Sequence, residues 1–177
     1  MKNILIVGGS SGIGLALVEQ LAEDHNVFVA SRTSESLVGK NCTHIPYDVM
    51  SQELDVSLLP ELHGFVYCPG SINLRPFKGL KPETFQADFD LNVIGAIKSL
   101  QALGKNLQAT THASVVFYST VAVQTGMPFH ASVAAAKGAL EGLTRSLAAE
   151  WAPKIRVNCI APSLVNTPLA DKFLNNE

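Results

Sequence analysis

Apolar and polar positions in this chain switch repeatedly between two periods, and the switches mark out its elements. Ile4–Val7 is a short β-rich run that stops at Gly8-Gly9. From Gly14 to Glu23, Leu15, Val18 and Leu21-Ala22 recur at helical spacing. Val27–Ala30 reads as a second strand, and the stretch from Ser31 to Lys40 is polar. His44–Tyr47 and Phe65–Tyr67 read as a third and a fourth strand, ending at Asp48 and at Pro69-Gly70. Pro82 opens a predicted helix that runs through Phe85, Phe89, Leu91 and Ile94 to about Leu103. Val115–Tyr118 is a fifth strand, whose continuous apolar character predicts burial on both faces. Ala131–Trp151 is a long Ala-rich helix stopped by Pro153, and Ile155–Ile160 is a sixth strand before Ala161-Pro162. Strand and helix alternating from end to end predict βαβ units. The fold class is therefore α/β: a doubly wound parallel β-sheet with helices on both faces, three layers in all.

Composition narrows the class. The 177 residues argue for one domain over 1–177, long enough to bury roughly 70 % of the unfolded chain's surface. An apolar fraction of 47 % and a charged fraction of 16 % suit a compact globule and not a disordered chain. The net charge is −2 with no run of one sign, so no nucleic acid is expected as a partner. The longest apolar runs are strand-sized, and the N-terminal one is too short for a signal-peptide core. No membrane partner and a cytoplasmic location are the expectation. Cys42, Cys68 and Cys159 lack CxxC spacing and read as reduced thiols, with no disulfide framework and no metal site.

The chemistry starts at Gly8-Gly9-Ser10-Ser11-Gly12-Ile13-Gly14, directly between the first strand and the first helix. Glycines here permit a tight turn, a close approach of backbone to a pyrophosphate, and close packing of helix on strand. The helix N-terminus adds unpaired N–H groups and a partial positive charge. Strand, turn and helix in this order predict a Rossmann-type site for a nicotinamide dinucleotide. The alternative is a tight turn without a ligand. An acidic residue after the second strand would favour NAD(H). Here the residues are Ala30-Ser31-Arg32-Thr33. The Arg32 fork suits a 2′-phosphate, and the Ser31 hydroxyl can donate to the same group. NADP(H) is favoured and NAD(H) stays open, since Arg32 can equally be a solvated loop arginine.

With these motifs in register, the chain resembles the short-chain dehydrogenase/reductase family over nearly its whole length. The family's TGxxxGIG turn matches Val7–Gly14, with valine for threonine, and its adenine-pocket pair matches Asp48-Val49. Its NNAG strand end is represented by Tyr67-Cys68-Pro69-Gly70, and its helix-borne asparagine by Asn92. Arg156–Pro162 resembles the family's sixth strand and nicotinamide-side turn, with Ser163 for the usual glycine and Thr167 for a threonine that contacts the carboxamide. The resemblance implies hydride transfer between a nicotinamide and a small-molecule carbonyl or secondary alcohol. It implies that Thr120, in the serine position, holds the substrate oxygen. Lys137 would hold the ribose, and Asn92 would order the water of a proton relay.

The resemblance also exposes a departure. The family's proton-donating tyrosine stands four residues before the lysine, and here that residue is Val133. Valine cannot exchange a proton, and positioned acid–base catalysis typically contributes about 10²–10⁴-fold. Ser132, His130 and Tyr118 are candidate substitutes. Ser132 points elsewhere on a helix than Val133. His130 reaches the same mouth if the helix has begun there. Tyr118 shares a face with Thr120 if the strand continues. The bland readings are a loop histidine and a core tyrosine. Family members also usually continue past the position of Thr167, whereas this sequence ends at Glu177, so the C-terminal part of the usual fold is expected to be absent. The resemblance implies a homodimer or homotetramer through the two long helices. Two readings therefore stand: an oxidoreductase, impaired or using another proton donor, and a non-catalytic dinucleotide-binding sensor or partner subunit.

Overall fold

The computed structural model describes residues 1–171 of the chain, and the chain end noted above lies outside them. Six parallel strands form one sheet: β1 (Asn3–Val7), β2 (Asn26–Ser31), β3 (Cys42–Pro46), β4 (Gly64–Tyr67), β5 (Ala113–Tyr118) and β6 (Ile155–Ile160). Their order is β3-β2-β1-β4-β5-β6. The chain winds outward from β1 to β3, returns to place β4 beside β1, and winds outward the other way to β6. That reversal opens a crevice beyond the carboxyl ends of β1 and β4, where open α/β sheets take their ligands. Val7 is in register with Ala30 on one side and Tyr67 on the other, so the loops that follow these three strands emerge level with one another.

Side chains alternate across each strand and build two cores. On one face Leu5, Phe65, Val115 and Phe117 pack with Leu100, Leu107 and Leu140. On the other, Ile4, Ile6, Val29 and Val66 pack with Val18 of α1 (Gly12–Leu21) and with Ala22 at its C-terminal cap. The remaining helices are α2 (Pro82–Phe89), α3 (Gly95–Ala102), α4 (Gly104–Gln108), the single turn α5 (Ala122–Thr125) and α6 (Ala131–Trp151). The doubly wound parallel sheet expected from the hydrophobic pattern is the one observed, and α6 and β6 have the predicted ends. The outer sides of α2 and α6 leave an open groove lined by Phe77, Phe85, Phe89, Ser132 and Ala135. Among the described residues no helix is long and apolar enough to cross a membrane.

The structure departs from the strict strand–helix alternation in two places. The β2–β3 crossover contains only a 3₁₀ turn, Glu35–Leu37, which inserts Leu37 into the core. The β3–β4 crossover has no regular helix, and Leu54, Leu59 and Leu62 cover the sheet in its place. A few buried leucines on an irregular segment do what a helix stripe would do elsewhere.

The helix predicted from Pro82 to about Leu103 is also not one α-helix. Residues Asp90–Ile94 form a π turn between α2 and α3, in which the Gly95 N–H donates to the Asp90 carbonyl five residues back. Two contacts explain it. The Tyr67 hydroxyl donates to the Leu91 carbonyl at 2.6 Å. A Cβ on Gly95 would also press on the Tyr67 hydroxyl and come within 2.5 Å of a Val49 methyl. The extra residue in this turn aims Asn92 inward, and such π turns occur often at functional sites.

Candidate active site

The glycine turn is built by close approach. Gly8 has φ +78° and Gly12 φ +52°, both in the left-handed region. A Cβ on Gly14 would collide with the Gly8 carbonyl oxygen, and one on Gly9 would meet a Val29 methyl at 2.7 Å. The bare backbone thus lets α1 begin directly against the end of β1. Ser11 is the N-cap residue of α1, yet its side chain makes no capping bond. The first N–H groups of this ten-residue helix are left facing the crevice, as a pyrophosphate requires.

The polar loop after β2 is stitched to this turn. Thr33 Oγ1 donates to Ser10 Oγ at 3.1 Å, and Ser36 Oγ donates to the Ser10 carbonyl at 2.6 Å. A cavity of about 160 Å³ lies between them, lined by Gly8, Ser10, Ser11, Arg32, Tyr47 and Val49. Arg32 is exposed at its edge. Ser31 also lines the cavity, but it is not the free donor expected from the sequence. It is buried, its hydroxyl donates to the Thr33 carbonyl at 2.8 Å, and His44 Nε2 lies 3.2 Å from the same oxygen. The Asp48 carboxylate likewise closes its own turn. It accepts from the Met50 N–H at 3.0 Å and the Ser51 hydroxyl at 3.1 Å. These bonds, with a smaller contribution from the Arg32 charge, hold its pKa below the usual carboxylate value.

Across the crevice, Gly70 follows β4 and lies against two other side chains. A Cβ there would lie 3.4 Å from Asn92 Oδ1 and 3.4 Å from Lys137 Nζ. Residues from the π turn and α6 therefore meet at one point, 22 and 67 positions beyond Gly70 in sequence. Asn92 is fully buried. Its Nδ2 donates to the Asp88 carbonyl at 2.8 Å and to Ser71 Oγ at 3.2 Å, while its Oδ1 has no partner among the described residues. Lys137 is 7 % exposed, and burial pulls its ammonium down to about 8, against the opposing pull of Cys159, Cys68 and Asp88. Burial in turn pushes the Cys68 thiol up to about 12. Cys42, Cys68 and Cys159 are free.

Val133 sits one turn before Lys137, is 6 % exposed, and offers no proton. The three candidate substitutes lie elsewhere. Ser132 is buried toward the α2–α6 groove and away from the crevice. His130 precedes α6 as its N-cap, and its Nδ1 lies 2.7 Å from the Pro128 carbonyl. Tyr118 packs with Val116 and Cys68 in the α1-side core. Its supposed partner Thr120 lies beyond the end of β5, where Oγ1 accepts from the Ala122 N–H at 3.3 Å. The loops after β5 and β6 are joined by the Val121 N–H donating to the Pro162 carbonyl at 3.1 Å. Beyond Pro162 the chain folds back until Thr167 lies against Gly12, 3.3 Å from where a Cβ would stand. Of the motifs dispersed in sequence, Gly70, Asn92 and Lys137 meet at one point and Thr167 meets the glycine turn.

One polar residue on this side escaped the sequence reading. Asp88 is 1 % exposed, and its Oδ1 accepts from the Asn73 amide at 2.7 Å and from the Ser71 hydroxyl. The signal was its position four residues before Asn92, which places both on one helix face.

A parallel sheet with a glycine-built phosphate turn at its switch point defines a Rossmann-type dinucleotide-binding protein. A sequence model of the short chain dehydrogenase family matches residues 2–177. A 2,5-dichloro-2,5-cyclohexadiene-1,4-diol dehydrogenase of Sphingobium indicum is 32 % identical over 99 % of this chain and 77 % of its own length. A 2,3-dihydroxy-2,3-dihydro-p-cumate dehydrogenase of Pseudomonas putida is 31 % identical over 97 % and 73 %. Among solved structures, a short chain dehydrogenase of Escherichia coli CFT073 complexed with NADPH superposes with a TM-score of 0.90 at 25 % identity, covering 99 % of this chain and 82 % of that one. The chain belongs to the short-chain dehydrogenase/reductase family of oxidoreductases, whose members bind NAD(P)(H).

The buried lysine predicts a pH-dependent stability. Its folded pKa lies below the unfolded 10.5, so below about 8 folding carries the full cost of an ammonium buried out of water. That cost is relieved as pH rises toward 10.5, because the unfolded chain then holds more protons than the folded one. Lys137→Met should be more stable than the parent at pH 7 by roughly 2–4 kcal/mol. The difference should shrink on titration to alkaline pH, as read by urea denaturation of both proteins. A difference independent of pH would show that the lysine carries no such cost.

Proposed function

We propose that this chain is an NADP(H)-dependent oxidoreductase that interconverts a small-molecule carbonyl and a secondary alcohol. The observation that carries the reading is the meeting of Asn92 and Lys137 beside Gly70, opposite the bare glycine turn. The residues fit the cofactor, for the turn at Gly8 and Gly14 is too close for a Cβ and keeps bare backbone at the start of α1, and Asn92 Oδ1 is a buried acceptor beside Gly70 without a partner among the described residues. When bound, the nicotinamide supplies or takes up the hydride.

The chain's own residues would divide the rest. The Gly8–Gly14 turn and the start of α1 hold the pyrophosphate. Arg32 takes the 2′-phosphate at the rim of the cavity, with Asp48, Val49 and Tyr47 framing the adenosine side. Ser31 acts by holding Thr33, because its own hydroxyl is already engaged. Lys137 anchors the ribose, Thr167 lies over the turn, and the Thr120 hydroxyl holds the substrate oxygen. Both diol dehydrogenases named above act, by their names, on cyclic diols, so a ring-borne secondary alcohol or its ketone is the first substrate class to try. A second reading, a dinucleotide-binding sensor or partner subunit, is favoured by one observation: the residue one turn before Lys137 is a buried valine.

NADPH oxidation with a panel of ketones, diketones and quinones, and NADP⁺ reduction with cyclic diols, separates the two. The oxidoreductase reading expects slow turnover, raised about 10²-fold or more when Val133→Tyr adds a proton donor. Saturable NADPH binding with no turnover in either protein would favour the sensor. Arg32→Ala should weaken NADPH binding about tenfold, equivalent to 1.4 kcal/mol, and leave NADH binding unchanged. Equal losses for both nucleotides would remove Arg32 as the 2′-phosphate contact.

A further inference from the structure

Arg32 stands at the apex of a short loop on the edge of the cavity, and that loop is fixed from both sides. The Ser31 hydroxyl donates to the Thr33 carbonyl at 2.8 Å, a bond that spans Arg32. Thr33 Oγ1 donates to Ser10 Oγ at 3.1 Å and Ser36 Oγ to the Ser10 carbonyl at 2.6 Å, which ties the loop to the glycine turn. Behind the loop stands His44, on the edge strand β3, in register with Val29 two residues before Ser31. Its Nε2 lies 3.1 Å from the Ser31 carbonyl oxygen and 3.2 Å from the Ser31 hydroxyl oxygen. Counting donors and acceptors fixes the role of the ring. The Ser31 hydroxyl has one hydrogen, and Thr33 takes it. The Ser31 carbonyl can only accept, and it already takes the Tyr47 N–H at 3.0 Å. A ring nitrogen facing these two oxygens must carry the hydrogen, so His44 Nε2–H donates to Ser31. Ser31 is buried, so little water reaches it to replace that donor.

We propose that His44 is a positioning residue for cofactor choice: through Ser31 and Thr33 it holds the Arg32 loop in the shape that selects a 2′-phosphate. The proposal rests on the NADP(H) part of the reading above and not on turnover. His44 itself does not line the cavity. Its ring locks Ser31, the locked Ser31 hydroxyl holds Thr33, and the Thr33 hydroxyl meets Ser10 beside the phosphate turn. Ordering a long arginine side chain costs entropy, and a loose loop beneath it would add to that cost on binding. A loop pinned to β3 presents the Arg32 backbone already placed, so the guanidinium has only its own rotamers to lose. NADH carries no 2′-phosphate and gains nothing from this order, so the effect falls on one nucleotide alone.

The test is a set of fluorescence titrations with NADPH and with NADH on the parent, His44→Leu and His44→Gln, each checked for folding by circular dichroism. His44→Leu removes the donor and should weaken NADPH binding about tenfold while NADH stays within about twofold. His44→Gln returns an N–H donor and should bring NADPH binding back to within about threefold of the parent. In an Arg32→Ala background His44→Leu should change neither nucleotide, because the group that it positions is gone. Equal weakening of both nucleotides, a Gln variant as weak as the Leu variant, or an undiminished effect in the Arg32→Ala background would each overturn the proposal, since the ring would then only support the fold. Should His44→Leu not fold, Ser31→Ala removes the hydroxyl that the ring fixes, and it carries the same expectations for NADPH, for NADH and in the Arg32→Ala background. A parent selective for NADPH with an unmoved His44→Leu rejects His44 alone. A parent that binds both nucleotides equally is a different result: it rejects the NADP(H) reading, and the role of His44 with it.

Discussion

The site depends on how closely α1 can start against the end of β1. Gly14 lies where any side chain would strike the Gly8 carbonyl, and Gly9 lies against Val29 in the core. That contact sets the axis of α1, turns its first N–H groups toward the crevice, and leaves Gly8 facing Pro69 across the switch between β1 and β4. The loop after β2 is then tied to Ser10 through Thr33 and Ser36, which places Arg32 at the edge of the cavity. Thr167 packs on Gly12. A methyl group on Gly14 or Gly9 would force this turn to shift.

The opposite wall is assembled by long-range packing. The Tyr67 hydroxyl reaches Leu91, the crowded Gly95 holds the π turn, and the turn buries Asn92. Asn92 and Lys137 meet beside Gly70. In this wall a charged amine has been taken out of water without a direct ionic partner among the described residues, at a cost that a binding or catalytic use would justify. On the oxidoreductase reading, the buried valine one turn away means that a proton must come from a group other than the side chain at that position.

Periodicity made the sheet legible because its central strands β1 and β4 are buried on both faces and read as continuous apolar runs, whereas β5 is only half-buried on its second face, and the glycines marked where helix meets strand. Ile155–Ile160 and Ala131–Trp151 could be read to the residue because Pro153 separates them. What escaped the sequence depended on contacts between distant segments. The π turn adds one residue to a helix whose apolar pattern barely changes, and it exists because Tyr67 and Val49 crowd Gly95. The helix-free crossing to β4 relies on Leu54, Leu59 and Leu62, whose spacing announces no element. Ser31 looked available because its residue type can donate, but its hydroxyl is spent on Thr33. Asp88 was not singled out, and it is the packing of α2 on α6 that buries it with one oxygen unpaired among the described residues.

The measurement that tests the account most directly is a fluorescence titration of NADPH into the parent protein and into Gly14→Ala, with circular dichroism to confirm that the variant stays folded. The account predicts saturable binding to the parent and a loss of about a hundredfold or more in the variant, equivalent to roughly 2.7 kcal/mol, because the added methyl displaces the Gly8 carbonyl and with it the start of α1. Equal binding by a folded Gly14→Ala protein would contradict it, since the dinucleotide would then be held somewhere other than this turn.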